Sequence, residues 1–397
     1  MAPEFSESSI FQRRDALLFD FTPVQLPHRE TELNELMMRF KPVVTGEGVS
    51  RLHLTGDVGT GKTVLSKRFG EQAIREGNRA GRKVRFIHIN MAYMPKPYHV
   101  VGRIANEVLS DDKARSGLSA EEMLLTIART LRGEGGHLIV CLDEVDAYVG
   151  EGRDRRIFYM LSRFHELTPD TKPPPRISLI YICRSLEWLK RLDTPTLDTL
   201  GRVSRLELRK YAPDELKDIL WYRTQEAFKP TAISEGVVEF IRDIAEANGG
   251  VRYGLELLLE SGAAAEVDLV KSVKPEHVRR AHFNIPKWMG GGVLGEELSL
   301  HGNLLLAAVA MCVSRAGEAY AAWDDVYDSY RCVCEEYGVE PDSYSQARSE
   351  LMDLGQHGYV LARLKGKRVL LSTELPSDVI LKITKEALKA WRQSDAR

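Results

Sequence analysis

The sequence predicts an α/β domain built on a five-stranded parallel sheet, followed by an α-helical domain and a C-terminal winged helix. In the first half, short β-branched runs alternate with helix-length amphipathic stretches, which is typical of a parallel sheet covered by helices. In the second half, helical spacing of apolar residues takes over, and two strand-like runs return only near the C-terminus. A chain of 397 residues is long enough for two or three such domains.

Residues 1–210 are assigned to the α/β domain. Its five predicted strands are RLHLT (51–55), VRFIHIN (84–90), HLIVCLDE (137–144), ISLIYIC (177–183) and VSRLELR (203–209). A proline-rich surface connection, TKPPPR (171–176), leads into the fourth strand.

Residues 211–290 are assigned to the helical domain, with predicted helices in APDELKDILWYRTQEAF, GVVEFIRDIAEA and VRYGLELLLESGAAAE. The glycine-rich stretch 286–295 is predicted to be a linker. Residues 296–397 then supply three helical stretches, two strand runs (YVLARL and RVLLSTEL) joined by residues 365–367, and a terminal helix. Three helices and a basic hairpin predict a winged helix.

The motif GDVGTGKT (56–63) follows the first predicted strand directly and opens a helix, as a phosphate-binding P-loop must. Its glycines allow backbone N–H groups to surround phosphates, and the helix N-terminus adds partial positive charge. Lys62 is expected to contact the β- and γ-phosphates of ATP or ADP, and the Thr63 hydroxyl to coordinate Mg²⁺. The predicted nucleotide-binding residues of this segment are Gly56, Val58, Gly59, Thr60, Gly61, Lys62, Thr63 and Val64.

The third predicted strand ends in two carboxylates, Asp143 and Glu144. A lone acidic pair at a strand end is usually a solvated turn, because Asp and Glu prefer the surface. Downstream of a P-loop, however, the pair predicts an ATPase site. Asp143 would complete the Mg²⁺ shell, and Glu144 would orient or deprotonate the attacking water, so Lys62, Asp143 and Glu144 are the predicted catalytic residues.

With these motifs the sequence resembles AAA+ ATPases, and more narrowly the archaeal origin-recognition and helicase-loader initiators. The likeness covers nearly the whole chain. Besides the two ATPase motifs it extends through LPHRE (26–30), PYHVVGRIANEVL (97–109), LIVCLDEVD (138–146), RLDTPTLDTLGR (191–202), KYAPDELKDILWYRTQEAF (210–228) and NGGVRYGLELL (248–258).

The resemblance implies further site residues. Arg252 matches the second sensor position, where closure of the helical lid brings an arginine to the γ-phosphate. Tyr211 and Arg223 are implied to approach the nucleotide, and His28 and Arg29 to lie near the adenine. A second DNA contact is implied within residues 91–117.

Two departures from the family pattern bear on hydrolysis. The first sensor, usually an asparagine-like residue after the fourth strand, is replaced here by Cys183-Arg184-Ser185. The arginine expected to act in trans has no clear match, because Thr196 stands at the anticipated position and Arg202 lies later. Slow turnover is therefore expected.

The winged helix is the predicted DNA-binding region. The recognition helix is expected at 343–354, with Tyr344, Ser345, Gln346 and Arg348 able to reach bases or phosphates. The wing offers Arg363, Lys365, Lys367 and Arg368 around a glycine turn, suited to phosphate or minor-groove contact. From 343 to 397 there are 10 Lys plus Arg and 6 Asp plus Glu, whereas the whole chain has a net charge of −2. A winged helix that binds protein instead remains the alternative.

Composition limits the function classes. The five cysteines form no CxxC pair and no zinc spacing, which fits a reducing cytoplasm. No apolar run is long enough to span a bilayer, so a soluble, nucleoid-associated protein is expected. The favoured hypothesis is an ATP/ADP-switched initiator that binds origin duplex DNA and partners a replicative helicase and paralogous initiators. A nucleotide-regulated transcription regulator, and a DNA-binding module whose nucleotide is purely structural, stay open.

Overall fold

A computed structural model describes residues 8–109, 117–168, 174–200, 202–285 and 298–395. Within these residues the chain forms two compact units. One is Asp20–Glu215, and the other contains Leu216–Arg397 together with the described N-terminal residues through Phe19. The predicted linker 286–295 lies outside the described residues, as do residues 171–173 of the proline-rich connection. Of the segment 91–117, residues 110–116 also lie outside them.

The first unit alternates strands and helices. Helices α1 (Glu30–Arg39) and α2 (Lys41–Thr45) precede β1 (Arg51–Gly56), and α3 (Lys62–Arg79) leads to β2 (Val84–Asn90). Then come α4 (Pro97–Val108), α5 (Ala120–Gly133), β3 (His137–Asp143), α6 (Val145–Gly150) and α7 (Arg156–Ser162). The unit ends with β4 (Arg176–Cys183), α8 (Thr194–Leu200), β5 (Ser204–Leu208) and the start of α9 (Pro213–Ala227).

The five strands form one parallel sheet in the order β2-β3-β4-β1-β5, which confirms the predicted sheet. All seven side chains of β3 are buried, as expected for an inner strand of a parallel sheet covered on both faces. On one face Leu138, Val140 and Leu142 join the core formed with α4 and α5. On the other, Ile139 and Cys141 pack in the core that includes α3.

The second unit begins with four helices, the rest of α9, α10 (Glu235–Asn248), α11 (Val251–Val267) and α12 (Pro275–Asn284). The first three were predicted and α12 was not. Residues 8–19, which the sequence analysis grouped with the α/β domain, pack here instead: Phe11 bridges to Phe228, with ring centroids 4.9 Å apart. The backbone N–H groups of Gln12 and Arg13 both donate to the Ala227 carbonyl.

The winged helix completes this unit with α13 (Leu300–Ala316), β6 (Ala321–Ala322), α14 (Trp323–Tyr337) and α15 (Tyr344–Gln356). The hairpin strands β7 (Leu361–Lys365) and β8 (Arg368–Ser372) follow, and then α16 (Ser377–Asp395). The strands form an antiparallel sheet in the order β6-β8-β7. The helices and hairpin confirm the predicted winged helix. The second predicted helical stretch, AAWDDVYDSYRCVCEEYG, starts at Ala321, but Ala321 and Ala322 form the strand β6 and the helix starts at Trp323.

A buried arginine joins the helical domain to the winged helix. Arg279 of α12 is 1% exposed, and its guanidinium donates to the carbonyl oxygens of Thr373 and Ala319, both at 3.0 Å. It also pairs at 3.1 Å with Glu276, whose carboxylate accepts the Ser377 backbone N–H at the start of α16. These hydrogen bonds satisfy groups that burial would otherwise leave without water.

A second set of polar contacts joins α10 to the base of the wing. Arg363 of β7 forms an ion pair with Glu239, at 2.9 Å, and lies 3.6 Å from Asp243. The Tyr320 hydroxyl also donates to Asp243. None of the helices in the described part of the chain is long and apolar enough to cross a membrane.

Candidate functional site

The loop after β1 has a backbone that favours glycine at three positions. Gly56, Gly59 and Gly61 have φ angles of 149°, 80° and 87°, a range that other residues rarely adopt. A Cβ on Gly56 would lie 2.5 Å from the Leu208 carbonyl oxygen, and one on Gly61 would lie 2.9 Å from the Tyr211 hydroxyl. The loop can therefore turn sharply and present the first N–H groups of α3, which have no helical acceptor, to an anion.

Lys62, the first residue of α3, lies within this loop. Its Nζ donates to the carbonyl oxygens of Gly56, at 2.6 Å, and Asp57, at 2.7 Å. Burial lowers the pKa of the Lys62 ammonium, and the nearby Asp143 and Asp146 carboxylates oppose that shift. The loop therefore holds a positive charge that is partly removed from water.

Thr63 and Asp143, which are 80 residues apart in sequence, meet at the carboxyl end of the sheet. The Thr63 hydroxyl donates to Asp143 Oδ2 at 2.6 Å, and His88 Nε2 lies 3.0 Å from the same oxygen. Burial works to raise the pKa of Asp143, but hydrogen bonds from His88 and Thr63 outweigh it and lower the pKa. Asp143 is therefore a carboxylate at neutral pH.

Glu144 follows in a left-handed backbone conformation, with a φ of 57°. Its N–H donates to Asp143 Oδ1 at 2.8 Å, and its own side chain is exposed at the start of α6. A non-glycine residue with this φ is uncommon, and such residues cluster at functional sites. The turn directs one carboxylate into the site and leaves the other in solvent.

The nucleotide-side residues implied by the family resemblance have structural partners in the first unit. Arg29 is 1% exposed and donates to the carbonyl oxygens of Thr60, at 3.2 Å, and Arg209, at 2.5 Å. Its guanidinium carbon lies 4.0 Å from the centre of the Tyr211 ring. His28 Nδ1 is 3.8 Å from Glu215. Arg29 thus ties the P-loop to the end of β5, and its expected adenine contact stays a prediction.

Arg223 and Arg252 belong to the second unit. Arg223 is buried and donates through Nε to the Ala16 carbonyl at 2.6 Å, and burial lowers the pKa of its guanidinium to about 10. Arg252 is exposed in the first turn of α11, with its guanidinium carbon 4.9 Å from the centre of the Phe19 ring. Their nucleotide contacts stay predictions, although the guanidinium of Arg223 already binds a backbone carbonyl.

The two departures from the family pattern have clear local settings. The Cys183 side chain is buried at the end of β4, while that of Arg184 is exposed and its backbone N–H donates to Asp146 at 3.0 Å. Thr196 is fully buried, whereas Arg202 is exposed. The first-sensor position therefore has no asparagine-like side chain. The position anticipated for the trans-acting arginine has no arginine.

On the predicted recognition helix, three of the four named side chains have local hydrogen-bond partners, and the Ser345 hydroxyl lies 3.3 Å from that of Ser343. Gln346 accepts a hydrogen bond from the Ser343 N–H at 3.2 Å in a capping box that starts α15. The Tyr344 hydroxyl donates to Asp324 at 2.8 Å, and its ring packs against Trp323. Ser345 is exposed beside the cap, and Arg348 is exposed on the next turn. Their DNA contacts stay predictions.

In the wing, the four predicted cations divide into two kinds. Arg363 pairs with carboxylates of α10 and is only partly exposed. The side chains of Lys365, Lys367 and Arg368 are exposed and form no hydrogen bond or ion pair with any described residue, although the backbones of Lys365 and Arg368 pair in the hairpin. Three cations are therefore free at the hairpin tip, which we call the free wing cations.

The fold and the P-loop site together define an ATPase domain of the AAA type with a helical lid and a winged helix. Residues 49–190 match the model of the AAA domain, 217–283 that of the Cdc6 AAA+ ATPase-type lid domain, and 294–374 that of the CDC6 C-terminal winged helix domain. ORC1-type DNA replication protein 1 of Aeropyrum pernix is 30% identical over 359 residues, which cover 90% of this chain and 89% of that protein. The chain belongs to the family of ORC1-type DNA replication proteins.

Two solved structures have the same architecture. Cdc6p from Pyrobaculum aerophilum is 26% identical with a TM-score of 0.81, covering 96% of this chain and 99% of that one. The Aeropyrum pernix ORC1 protein in complex with DNA is 27% identical with a TM-score of 0.61, covering 96% and 98%. They support the origin-recognition resemblance that the sequence motifs indicated.

The residues present fit a magnesium nucleotide. A Cβ on Gly56 or Gly61 would collide with the Leu208 carbonyl or the Tyr211 hydroxyl, so glycine is needed for the tight turn that presents the N–H groups of α3 to phosphates. The Thr63 hydroxyl and Asp143 carboxylate offer the oxygen ligands that Mg²⁺ prefers. No group of three or more His, Cys, Asp or Glu among the described residues could hold a metal. Mg²⁺ does not require one, because it usually takes one or two protein ligands plus water and phosphate oxygens.

His88 was not predicted as a site residue. Its only signal was a histidine two residues before the end of a predicted strand, and the partner strand of β2 was not known. In the sheet order, β2 lies beside β3, which brings His88 next to Asp143.

Proposed function

We propose that this family member is an ATP/ADP-switched replication initiator that binds origin duplex DNA through its winged helix. In this proposal it hydrolyses ATP slowly and helps to recruit or load the replicative helicase. The observation that carries the DNA half of the proposal is the set of free wing cations in a chain whose net charge is −2.

The nucleotide half rests on the P-loop and the carboxyl end of β3. The N–H groups at the start of α3 and the Lys62 ammonium would hold the phosphates. Thr63 and Asp143 would hold Mg²⁺, which supplies charge neutralisation of the phosphates. Glu144, exposed at the turn after β3, would orient or deprotonate water.

Slow turnover is part of the proposal because two expected groups have no match. Arg184 replaces the polar first sensor, and its side chain projects into solvent. Thr196, at the place anticipated for the trans arginine, is buried. When hydrolysis is slow, the bound nucleotide can define whether the protein is in its ATP state or its ADP state, and it does not drive repeated cycles of work.

Two observations support the proposed DNA binding: the free wing cations and the DNA complex of a related protein. Side chains without protein partners can neutralise phosphates and release counterions, which drives protein association with DNA. The Aeropyrum pernix ORC1 protein, 27% identical, has been solved in complex with DNA. Of the predicted helix residues we assign the base contact to Arg348, because it is exposed on α15 whereas Gln346 already caps that helix.

The test is fluorescence anisotropy on an origin duplex and a random duplex across a salt series. Replacing Lys365, Lys367 and Arg368 by Gln should weaken binding to both duplexes. It should also flatten the log–log salt dependence by up to about 0.9 per lost phosphate contact. A matched control replaces Lys382, Lys385 and Lys389 of α16, which are also exposed and change the net charge equally.

Arg348→Ala should instead erode discrimination between the two duplexes, by about 1–3 kcal/mol for a good bidentate base contact. Equal salt slopes for the wing variant and wild type would rule out the wing as a DNA-binding element. Genome-wide footprints at promoters instead of origin repeats would favour the transcription regulator.

A further inference from the structure

His88 lies in a row of side chains that changes from apolar to polar along the sheet. On β2, Phe86, His88 and Asn90 project to one face, because alternate residues of a strand share a face. Phe86 packs against Phe69 of α3, with ring centroids 6.3 Å apart. His88 therefore follows an apolar residue in this row, at the point where the P-loop and β3 meet. An aliphatic residue would be sufficient there if packing were the only requirement.

The three hydrogen bonds to Asp143 leave little freedom for its carboxylate. Oδ1 accepts from the Glu144 N–H at 2.8 Å, and Oδ2 accepts from the Thr63 hydroxyl at 2.6 Å. The remaining donor is His88, 3.0 Å from Oδ2, with its side chain 16% exposed and that of Asp143 only 5% exposed. An ionised carboxylate can only accept, so Nε2 of His88 must carry the hydrogen.

We propose that His88 is a positioning residue for magnesium nucleotide, acting through Asp143. It fixes the plane of the carboxylate and supplies a second donor to Oδ2, so that Thr63 is not the sole support of that oxygen. The Thr63 hydroxyl can keep donating to Asp143 while its lone pairs face a cation, because a hydroxyl both donates and accepts. The inference rests on the proposed nucleotide site.

The expected effect follows from the general behaviour of groups that support metal ligands. Loss of such a partner typically reduces metal affinity about 10–100-fold. In the proposed site the phosphates would be held by other groups, the Lys62 ammonium and the N–H groups of α3. Loss of the His88 donor should therefore weaken the magnesium-dependent part of nucleotide binding and spare the part that persists without magnesium.

The variants separate positioning from packing. His88→Phe keeps a ring and removes the donor. His88→Gln places an amide N–H near the position of Nε2 and should restore the contact. His88→Met, a smaller apolar replacement, serves as the donor-free variant if the phenylalanine variant unfolds, and thermal melting reports which variants fold.

The measurement is titration of the full chain with a fluorescent ADP analogue, in excess Mg²⁺ and in EDTA. The Kd in EDTA divided by the Kd in Mg²⁺ should fall about 10–100-fold in His88→Phe. It should stay near the wild-type ratio in His88→Gln, and Kd in EDTA should be the same in all three proteins.

A double-mutant cycle with Asp143→Asn tests the route of the effect. If His88 acts through Asp143, adding His88→Phe to Asp143→Asn should leave the ratio unchanged. An unchanged ratio in His88→Phe, beside a clear magnesium effect in wild type, would overturn this inference and leave the proposed function intact. Failure of wild type to bind nucleotide at all would overturn both.

Discussion

The nucleotide site and the wing handle charge in opposite ways. At the site, Lys62, Thr63 and Asp143 all form hydrogen bonds within the protein. At the wing tip, the side chains of Lys365 and Lys367 are exposed and have no hydrogen-bond or ion-pair partner among the described residues. At the nucleotide site, hydrogen bonds fix the directions of the polar side chains. At the wing tip, the charged side chains have no fixed direction.

The difference matches the two ligands that we propose. A triphosphate is small, so each donor must already point at one oxygen, and donors fixed by the fold need no rearrangement on binding. A duplex presents a repeating row of phosphates, so free cations can find partners in several registers. They lose side-chain freedom on binding, whereas the groups at the P-loop have already lost it. We therefore expect a single substitution at the nucleotide site to cause a large loss of binding or turnover. A single substitution at the wing should cause only a small loss of DNA binding.

The largest expected effect is on hydrolysis. Glu144→Gln keeps the shape of the side chain and removes its ability to take a proton, so turnover should fall about 10²–10⁴-fold, the usual contribution of a general base. Nucleotide affinity should be unchanged, since Glu144 is exposed and its backbone contact to Asp143 remains. Phosphate release and ADP titration measure the two quantities. Wild-type turnover near the ~10 per second typical of enzymes would contradict the slow switch.

Next is nucleotide affinity itself. Lys62→Ala should weaken ATP and ADP binding by about 100-fold or more, as expected when a charged donor to phosphate is lost. Lys210→Ala is the control. Lys210 pairs with Asp57 of the P-loop at 3.1 Å, but its side chain is 74% exposed, so its loss should matter little. Isothermal titration that gives equal affinities for wild type and Lys62→Ala would refute the site.

The smallest effect separates the cations of the wing. Arg363→Gln should destabilise the second unit by about 1 kcal/mol, because it removes one partner each from Glu239 and Asp243, which keep Lys217 and Tyr320 respectively. Arg368→Gln removes an unpaired cation and should leave the melting temperature unchanged while lowering the salt slope of DNA binding. Melting scans and anisotropy on both variants test this division. If Arg368→Gln melts lower than Arg363→Gln, the division is wrong.

Local patterns were sufficient for much of the fold. The five strands, three lid helices and the hairpin each show their own periodicity and turn residues, so the sequence predicted them. Helix α12, with Pro275 at its first position, follows a polar stretch and was overlooked. The strand β6 is only two alanines long, and pairing with Leu370 and Leu371 makes it a strand, which no local pattern reveals.

The site was predictable where one segment carries the chemistry. The P-loop is contiguous, and Asp143 and Glu144 end a strand. His88 was hidden, because its role depends on β2 lying beside β3. The contacts of Arg363 were hidden too, since an arginine near a hairpin tip has the same local signature whether it faces solvent or a carboxylate.

The buried guanidinium of Arg279 has a consequence for how this protein can be divided. Residues 286–295 look like a natural place to separate the winged helix from the lid. Yet cutting there would remove the donor that serves the Thr373 and Ala319 carbonyls and the carboxylate of Glu276 that caps α16. In an isolated winged helix, these carbonyl groups and the N–H at the start of α16 would lose their partners and be exposed to water. The lid and the winged helix are therefore better expressed together, as one unit that shares these buried hydrogen bonds.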